Sequence, residues 1–346
     1  MLYYKIGRAL HPQGRGSIIH HKPSPGSCPA FLVFTDLKYY NVCIILRVIP
    51  ASSTYAGLHT GRPDKMKLKS VAAVFFSPTG TTGKITKSIA QAVARQAGVP
   101  CRTIDFTLPG SREKAVRFLA GELVIFGTPV YAGRIPNKIL PAVQTLFEGN
   151  GALAVPVVSF GNRSFDNALI ELRIELEKHG FHTIAGAAFV SEHVMTGKLA
   201  GGRPDEEDQK VILQFAMDVA GKIDSLKAGS HDGMAQIPAP IGVKGEDPIP
   251  GYYRPLQADG SPANFLKAKP KTTDACSDCG RCALVCPMGS ISSEDFRTVT
   301  GVCIKCQACV KICPVHAKYF DDPVMLSHIR MLEEHYSRRA ENELFL

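Results

Sequence analysis

Val71-Ala72-Ala73-Val74-Phe75-Phe76-Ser77-Pro78-Thr79-Gly80-Thr81-Thr82 is the stretch on which the fold turns. Six consecutive apolar residues predict a short strand buried on both faces. Pro78 and Gly80 break the run, and an amphipathic segment from Gly83 to Ala97 then predicts a helix. A strand that passes through a short turn into a helix opens a βα unit. The turn itself carries chemistry. Ser77, Thr79, Thr81 and Thr82 surround Gly80 where the helix begins. The first N–H groups of a helix lack internal acceptors and lie at the positive end of its dipole, so this turn suits an anion such as phosphate. A Walker A loop is excluded, because Pro78 stands where its first Gly would be and Ile85 follows Lys84 in place of Ser or Thr. The GxGxxG pattern of dinucleotide sites is also absent. An ordinary capped turn uses the same residue types.

Working outward, strands are predicted at Arg102–Phe106, Leu123–Gly127, Ala152–Phe160 and Thr183–Val190. Helices are predicted at Ser111–Leu119, Pro136–Phe147, Phe165–His179 and Asp205–Leu226. Apolar strands alternating with helices imply an α/β, doubly wound, five-stranded parallel sheet over residues 66–228. Residues 229–270 are rich in Pro and Gly and read as a linker, with Tyr252-Tyr253 and Phe265 as its candidates for packing on a neighbour. Residues 323–346 read as a helical tail. Residues 1–65 show no sustained period and carry eight Lys/Arg against two Asp/Glu. They are expected to be a spurious or disordered extension ahead of a natural start at Met66. They do not have the order of regions of a secretory signal peptide.

Eight of the eleven cysteines fall in two runs of one spacing, Cys276-x2-Cys279-x2-Cys282-x3-Cys286-Pro287 and Cys303-x2-Cys306-x2-Cys309-x3-Cys313-Pro314. The spacing resembles that of the bacterial ferredoxins with two [4Fe–4S] clusters, and implies a small α+β ferredoxin-like domain over residues 271–322. A cubane offers four irons at tetrahedral corners, each taking one thiolate. The resemblance implies that Cys276, Cys279, Cys282 and Cys313 hold one cluster, and Cys303, Cys306, Cys309 and Cys286 the other. Pairs of CxxC also bind zinc, but a zinc site needs neither the third step nor the Cys-Pro ending, here present twice.

The first βα turn resembles the FMN-phosphate loop of the flavodoxins, with Ser77, Thr79, Gly80, Thr81 and Thr82 in the matching places. The resemblance continues in Gly127-Thr128-Pro129-Val130-Tyr131-Ala132-Gly133 after the third strand, and in Gly161-Asn162-Arg163-Ser164-Phe165 after the fourth. It implies that Tyr131 lies against the flavin ring, with Thr128, Pro129 and Gly133 beside it. It also implies that the backbone of Gly161 and Asn162 meets the pyrimidine edge, with Phe160 or Phe165 as a second aromatic. Residues 66–346 together resemble the prokaryotic flavodoxin–ferredoxin fusions, including those called EFR-family ferrodoxins. That resemblance implies an iron–sulfur flavoprotein moving electrons between FMN and two [4Fe–4S] clusters, with ferredoxin-type proteins as donors or acceptors. The alternative is a flavin-dependent reductase of a quinone, nitro compound or oxygen.

The formal net charge of +9 on 346 residues does not favour nucleic acid as a partner, because most of the excess lies in residues 1–65. No apolar run reaches the roughly 18 residues of a membrane span. Thiolates committed to clusters need a reducing compartment, so a cytoplasmic location is expected. No catalytic acid–base pair stands out. His179, His182 and His193 read as structural or exposed, although Glu192-His193 follows the fifth strand and could face a ligand there.

Overall fold

The computed structural model describes residues 68–228 and 238–346, together with a small antiparallel ladder of Leu32–Val33 on Ile44–Ile45. The rest of the extension expected over 1–65 lies outside the described residues. The first half of the described chain alternates as the sequence implies: β1 (Ser70–Phe75), α1 (Thr81–Ala97), β2 (Cys101–Asp105), β3 (Glu122–Pro129), α2 (Leu140–Leu146), β4 (Leu153–Phe160), α3 (Ala168–Lys178), β5 (Gly186–Val190) and α4 (Glu206–Ala228). The strands lie in the order β2-β1-β3-β4-β5 and every neighbouring pair is parallel. This 2-1-3-4-5 order is the flavodoxin-like one, and it puts the ligand crevice at the carboxyl ends of β1 and β3, where the order reverses.

The continuous apolar runs have a simple cause. Val71, Ala73, Leu123, Ile125 and Val157 point to the face covered by α1 and α4, and Ala72, Val74, Val124, Phe126 and Val158 to the face covered by α2 and α3. Both faces are core, so no polar alternation survives.

Three stretches depart from expectation. Ser111–Leu119 is no helix: Pro109–Arg112 forms a 3-10 turn and Val116–Arg117 pairs with Phe147–Glu148. Phe118 is its one deep anchor, while Leu119 is 64% exposed, so no helical stripe exists to bury. The fifth strand is interrupted: His182–Thr183 pairs with the start of β4, and β5 resumes at Gly186. The tail is helical only in part. After a further helix, Pro323–His335, it adds strand Glu343–Phe345 antiparallel to β5, with Ala187 opposite Leu344. An uncovered sheet edge offers unpaired backbone groups, and the tail satisfies them.

Residues 271–320 hold two short helices, α5 (Arg281–Leu284) and α6 (Ala308–Ile312), and a ladder of Lys271–Thr272 on Lys318–Tyr319. The repeat in the cysteines is also a repeat of backbone. Asp278 and Lys305, Gly280 and Gln307, and Gly289 and His316 occupy equivalent places in the two halves and all have positive φ. This domain is tied to the sheet by the Glu192–Lys311 ion pair, 2.7 Å, and by Arg112 donating to the Pro287 carbonyl at 2.6 Å. The described part of the Pro/Gly-rich stretch packs as a strap: Tyr253 N–H donates to Ala132 O at 2.9 Å and the Tyr252 hydroxyl to Ile135 O at 2.9 Å. No helix among the described residues is long and apolar enough to cross a membrane.

Candidate functional site

A cavity of about 480 Å³ opens at the carboxyl ends of β3, β4 and β5. Its floor is the loop after β3, where Tyr131 and Arg134 exchange backbone hydrogen bonds across Ala132 and Gly133. Both central residues have positive φ, 48° and 77°, as a type I′ turn requires. Gly133 is needed twice over, since a Cβ there would lie 2.2 Å from Asp166 Oδ2. The loop after β4 supplies Gly161, Arg163 and Ser164, and the loop after β5 supplies His193. The roof comes from elsewhere in the chain: Tyr252, Tyr253 and Phe265 from the strap, Val302–Lys305 from the second cysteine run, and His328 from the tail helix.

Charge is held firmly around this cavity. Arg134 pairs with buried Glu171 and stacks over Tyr252, and Arg163 pairs with Asp166 and stacks over Tyr253. Tyr131 keeps some surface exposure, but its hydroxyl end is enclosed. Burial, then the nearby Cys306 and Cys303, hold that hydroxyl well above the usual tyrosine range. His193 packs on Gly161, where an added Cβ would come within 2.5 Å of the ring. Its Nδ1 accepts from Met195 N–H at 3.3 Å, which leaves the neutral ring's proton on Nε2. Burial first, then His328, Arg163 and Lys311, push its pKa down to about 4. Phe265 stacks on His328, whose Nδ1 is bonded to Leu256 O at 2.7 Å.

The expected flavin contacts divide into groups. Tyr131, Gly133 and Gly161 line the cavity. Ser77, Thr79, Gly80, Thr81 and Thr82 form the turn at the neighbouring strand end and do not line it. In that turn Ser77 Oγ accepts from Gly83 N–H at 2.9 Å, and Thr82 Oγ1 is bonded to Ser159 Oγ at 2.6 Å. The backbone N–H groups of Thr79, Thr81 and Thr82 and the hydroxyls of Thr79 and Thr81 make no hydrogen bond to the described residues, which leaves them for an anion. Thr128 is fully buried at the end of β3, beside Pro129, and its Oγ1 has no partner within the described chain. A buried hydroxyl without a partner is the kind of group a bound polar ligand satisfies. Asn162 is turned away. Its Nδ2 donates to the Tyr336 and Arg338 carbonyls, each at 2.6 Å, its Oδ1 accepts from Ala340 N–H at 3.2 Å, and its own N–H donates to Phe160 O. Asn162 therefore locks the tail.

The cysteines line two small cavities. One is lined by Cys276, Cys279, Cys282 and Cys313, the other by Cys286, Cys303, Cys306 and Cys309. Each cavity takes three thiols from one run and the fourth from the other. Among the described residues no three His, Cys, Asp or Glu side chains converge as a single metal ion would require. Four soft thiolates spread around a cage fit a cubane. Backbone N–H groups are aimed at sulfur in matching places: Ser290 at Cys286, 3.3 Å, and Ala317 at Cys313, 3.2 Å. Burial pushes the Cys306 and Cys309 thiols up to about 12, so these sites release protons when iron takes the thiolates. Burial raises the Cys313 thiol, yet the N–H groups of Ala317, Lys318 and Val315 together bring it below the usual thiol value.

Residues 269–314 match the family model described as a 4Fe-4S dicluster domain. This part of the chain is a [4Fe–4S] ferredoxin-type domain. No curated protein matches the chain. Among solved structures, a flavodoxin from the domain Archaea is 14% identical with a TM-score of 0.32, covering 45% of this chain and 99% of its own. An NADH:FMN oxidoreductase in its apo form is 18% identical, TM-score 0.33, covering 45% and 89%. The rubredoxin oxygen:oxidoreductase of the anaerobe Desulfovibrio gigas is 16% identical, TM-score 0.31, covering 47% of this chain and 38% of its own. By strand order and by family match, the chain joins a flavodoxin-like sheet to a ferredoxin-type domain.

Sequence reasoning foresaw the roof only in part, naming Tyr252-Tyr253 and Phe265 as packing candidates without placing them over a site. Tyr252-Tyr253 in a Pro/Gly-rich stretch was a usable signal, but His328 sits in an ordinary amphipathic helix and Val302–Lys305 is hidden inside the cysteine pattern.

Proposed function

We propose that the protein is an iron–sulfur flavoprotein that exchanges electrons, within one molecule, between FMN at the 480 Å³ cavity and two [4Fe–4S] clusters in the cysteine-lined cavities. One observation carries the reading: Tyr131 and Cys303 line the same cavity. Bound FMN would supply the conversion between electron pairs and single electrons that the clusters need. The chain's own residues do the rest. The N–H groups of Thr79, Thr81 and Thr82 would hold the phosphate, Thr128 and Pro129 would border the ligand, and Tyr131, Gly133 and Gly161 would shape the ring's slot. Phe265, Tyr253 and Val302–Lys305 wall the cavity between the slot and Cys303. Cys276, Cys279, Cys282 and Cys313 would hold one cluster, and Cys303, Cys306, Cys309 and Cys286 the other. Ferredoxin-type one-electron carriers in a reducing cytoplasm are the fitting donors or acceptors. A flavin-dependent reductase of a small substrate needs an open ring face, and the roof of strap and ferredoxin domain favours the internal relay instead.

The test is anaerobic reconstitution of the full chain with iron, sulfide and FMN. About eight iron, about eight sulfide and one flavin per chain are expected from two cubanes. Cys313→Ser and Cys276→Ser are expected to alter the same electron paramagnetic resonance signal. Grouping of Cys313 with Cys303 would overturn the ligand sets. On mixing with reduced viologen, cluster bleaching is expected before flavin reduction, and the flavin step is expected to run at a rate independent of protein concentration. Equally fast flavin reduction in protein without clusters would instead support the reductase.

A further inference from the structure

The two cysteine-lined cavities are not equivalent. The wall of the large cavity includes Cys303 with Val302, Ile304 and Lys305, and none of the four cysteines of the other set. The Cys303 set has no exposed member: Cys306 and Cys309 are each 8% exposed, and Cys286 and Cys303 are half-buried. In the other set Cys282 is also buried, but Cys279 is exposed. Val315, which lines that cavity, is 42% exposed. One anchor agrees with this polarity. Arg112 grips the carbonyl of Pro287, the residue after Cys286, while Lys311, midway between Cys309 and Cys313, meets Glu192. The Arg112 contact seizes the chain beside a member of the Cys303 set and holds that side against the sheet.

We infer that the clusters have fixed and different places in the electron path: the Cys276–Cys279–Cys282–Cys313 site is the outer terminal, where external carriers exchange electrons, and the Cys303–Cys306–Cys309–Cys286 site is the inner station beside the flavin cavity. The inference rests on the functional reading above and deepens it. Each transfer moves one electron. With clusters held by these cysteines, the outer site would take one electron from a reduced one-electron carrier, which is thereby oxidised, and the inner site would receive it, with no bond broken between them. Two such passages supply the pair that FMN holds. A burial difference of this kind also lets solvent and backbone dipoles tune the two sites separately.

The test uses the full reconstituted protein and two substitutions that spare every ligand. Phe296 lines the outer cavity and Phe320 the inner one, so Phe296→Leu and Phe320→Leu each mark one cluster by a small change in its resonance spectrum or midpoint potential. A soluble gadolinium chelate is then added to the reduced wild type. The signal marked by Phe296→Leu is expected to relax several-fold faster with the chelate, and the signal marked by Phe320→Leu to respond weakly. Removal of FMN is expected to shift only the Phe320-marked potential. Strong chelate relaxation of the Phe320-marked signal, or a flavin-dependent shift confined to the Phe296-marked one, overturns the order. If the wild type binds no flavin or shows no cluster signals, the functional reading itself fails. If one substitution does not fold, the other still assigns both signals by elimination.

Discussion

Glu192 accepts a hydrogen bond from Lys311 Nζ at 2.7 Å, joining the loop after β5 to the helix between Cys309 and Cys313. Both side chains are partly exposed, so the pair adds at most about 1 kcal/mol to stability. Its role is placement. Lys311→Glu is expected to leave the melting temperature almost unchanged but to slow electron exchange between clusters and flavin, and Glu192→Lys in the same chain to restore part of it. Stopped-flow absorbance at flavin and cluster wavelengths measures both. The bond to Lys311 holds Glu192 below its ordinary carboxylate value. A depressed carboxylate stabilises docking above its unfolded pKa, about 4.3, and loses that contribution as pH falls through its folded value. Docking is therefore expected to be intact at neutral pH and to loosen in acid.

Thr81 begins α1 with its N–H free of internal partners. A carboxylate in the first turn of a helix stabilises it by about 0.3–1 kcal/mol, while it repels a phosphate at the same place. Thr81→Glu is thus expected to keep or raise stability and to weaken FMN at least tenfold, with little effect on riboflavin. Equal loss of both ligands in a titration would refute the phosphate role of this turn.

Asn162 satisfies three backbone groups of the tail, at Tyr336, Arg338 and Ala340. Each buried group left without a partner costs about 1–3 kcal/mol. Asn162→Ala is expected to destabilise the protein by about 2–4 kcal/mol in urea unfolding. Faster amide exchange should be confined first to residues 336–346. Uniform exchange over the whole chain would argue against a local lock.

His193 is held neutral in the fold, its pKa pushed down to about 4 by burial, with His328, Arg163 and Lys311 adding to the effect. An unfolded histidine takes its proton near pH 6.5. The unfolded state then binds more protons between about 6.5 and 4, so stability is full above 6.5 and falls as pH drops through that window. His193→Gln is expected to flatten this part of the curve of melting temperature against pH. A variant that tracks the wild type in parallel would show that other groups set the slope.

The alternation of strands and helices was legible because four of the five strands are buried on both faces, all but the edge strand β2, and Val71–Phe76 or Ala152–Phe160 declares this in its own residues. The cysteine runs were legible because thiolate spacing around a cluster is a local pattern. Other features depend on partners far away in the chain. Glu343–Phe345 is too short to declare itself a strand and becomes one because β5 has an open edge. Asn162 sits in a loop where a ligand contact was expected, and only the returning tail gives its side chain another use. The roof over Tyr131 combines the strap, the second cysteine run and a tail helix, none of which carries a local sign of meeting there. Local chemistry is written residue by residue, whereas a cavity is made by the packing of surfaces that the chain brings together only once it has folded.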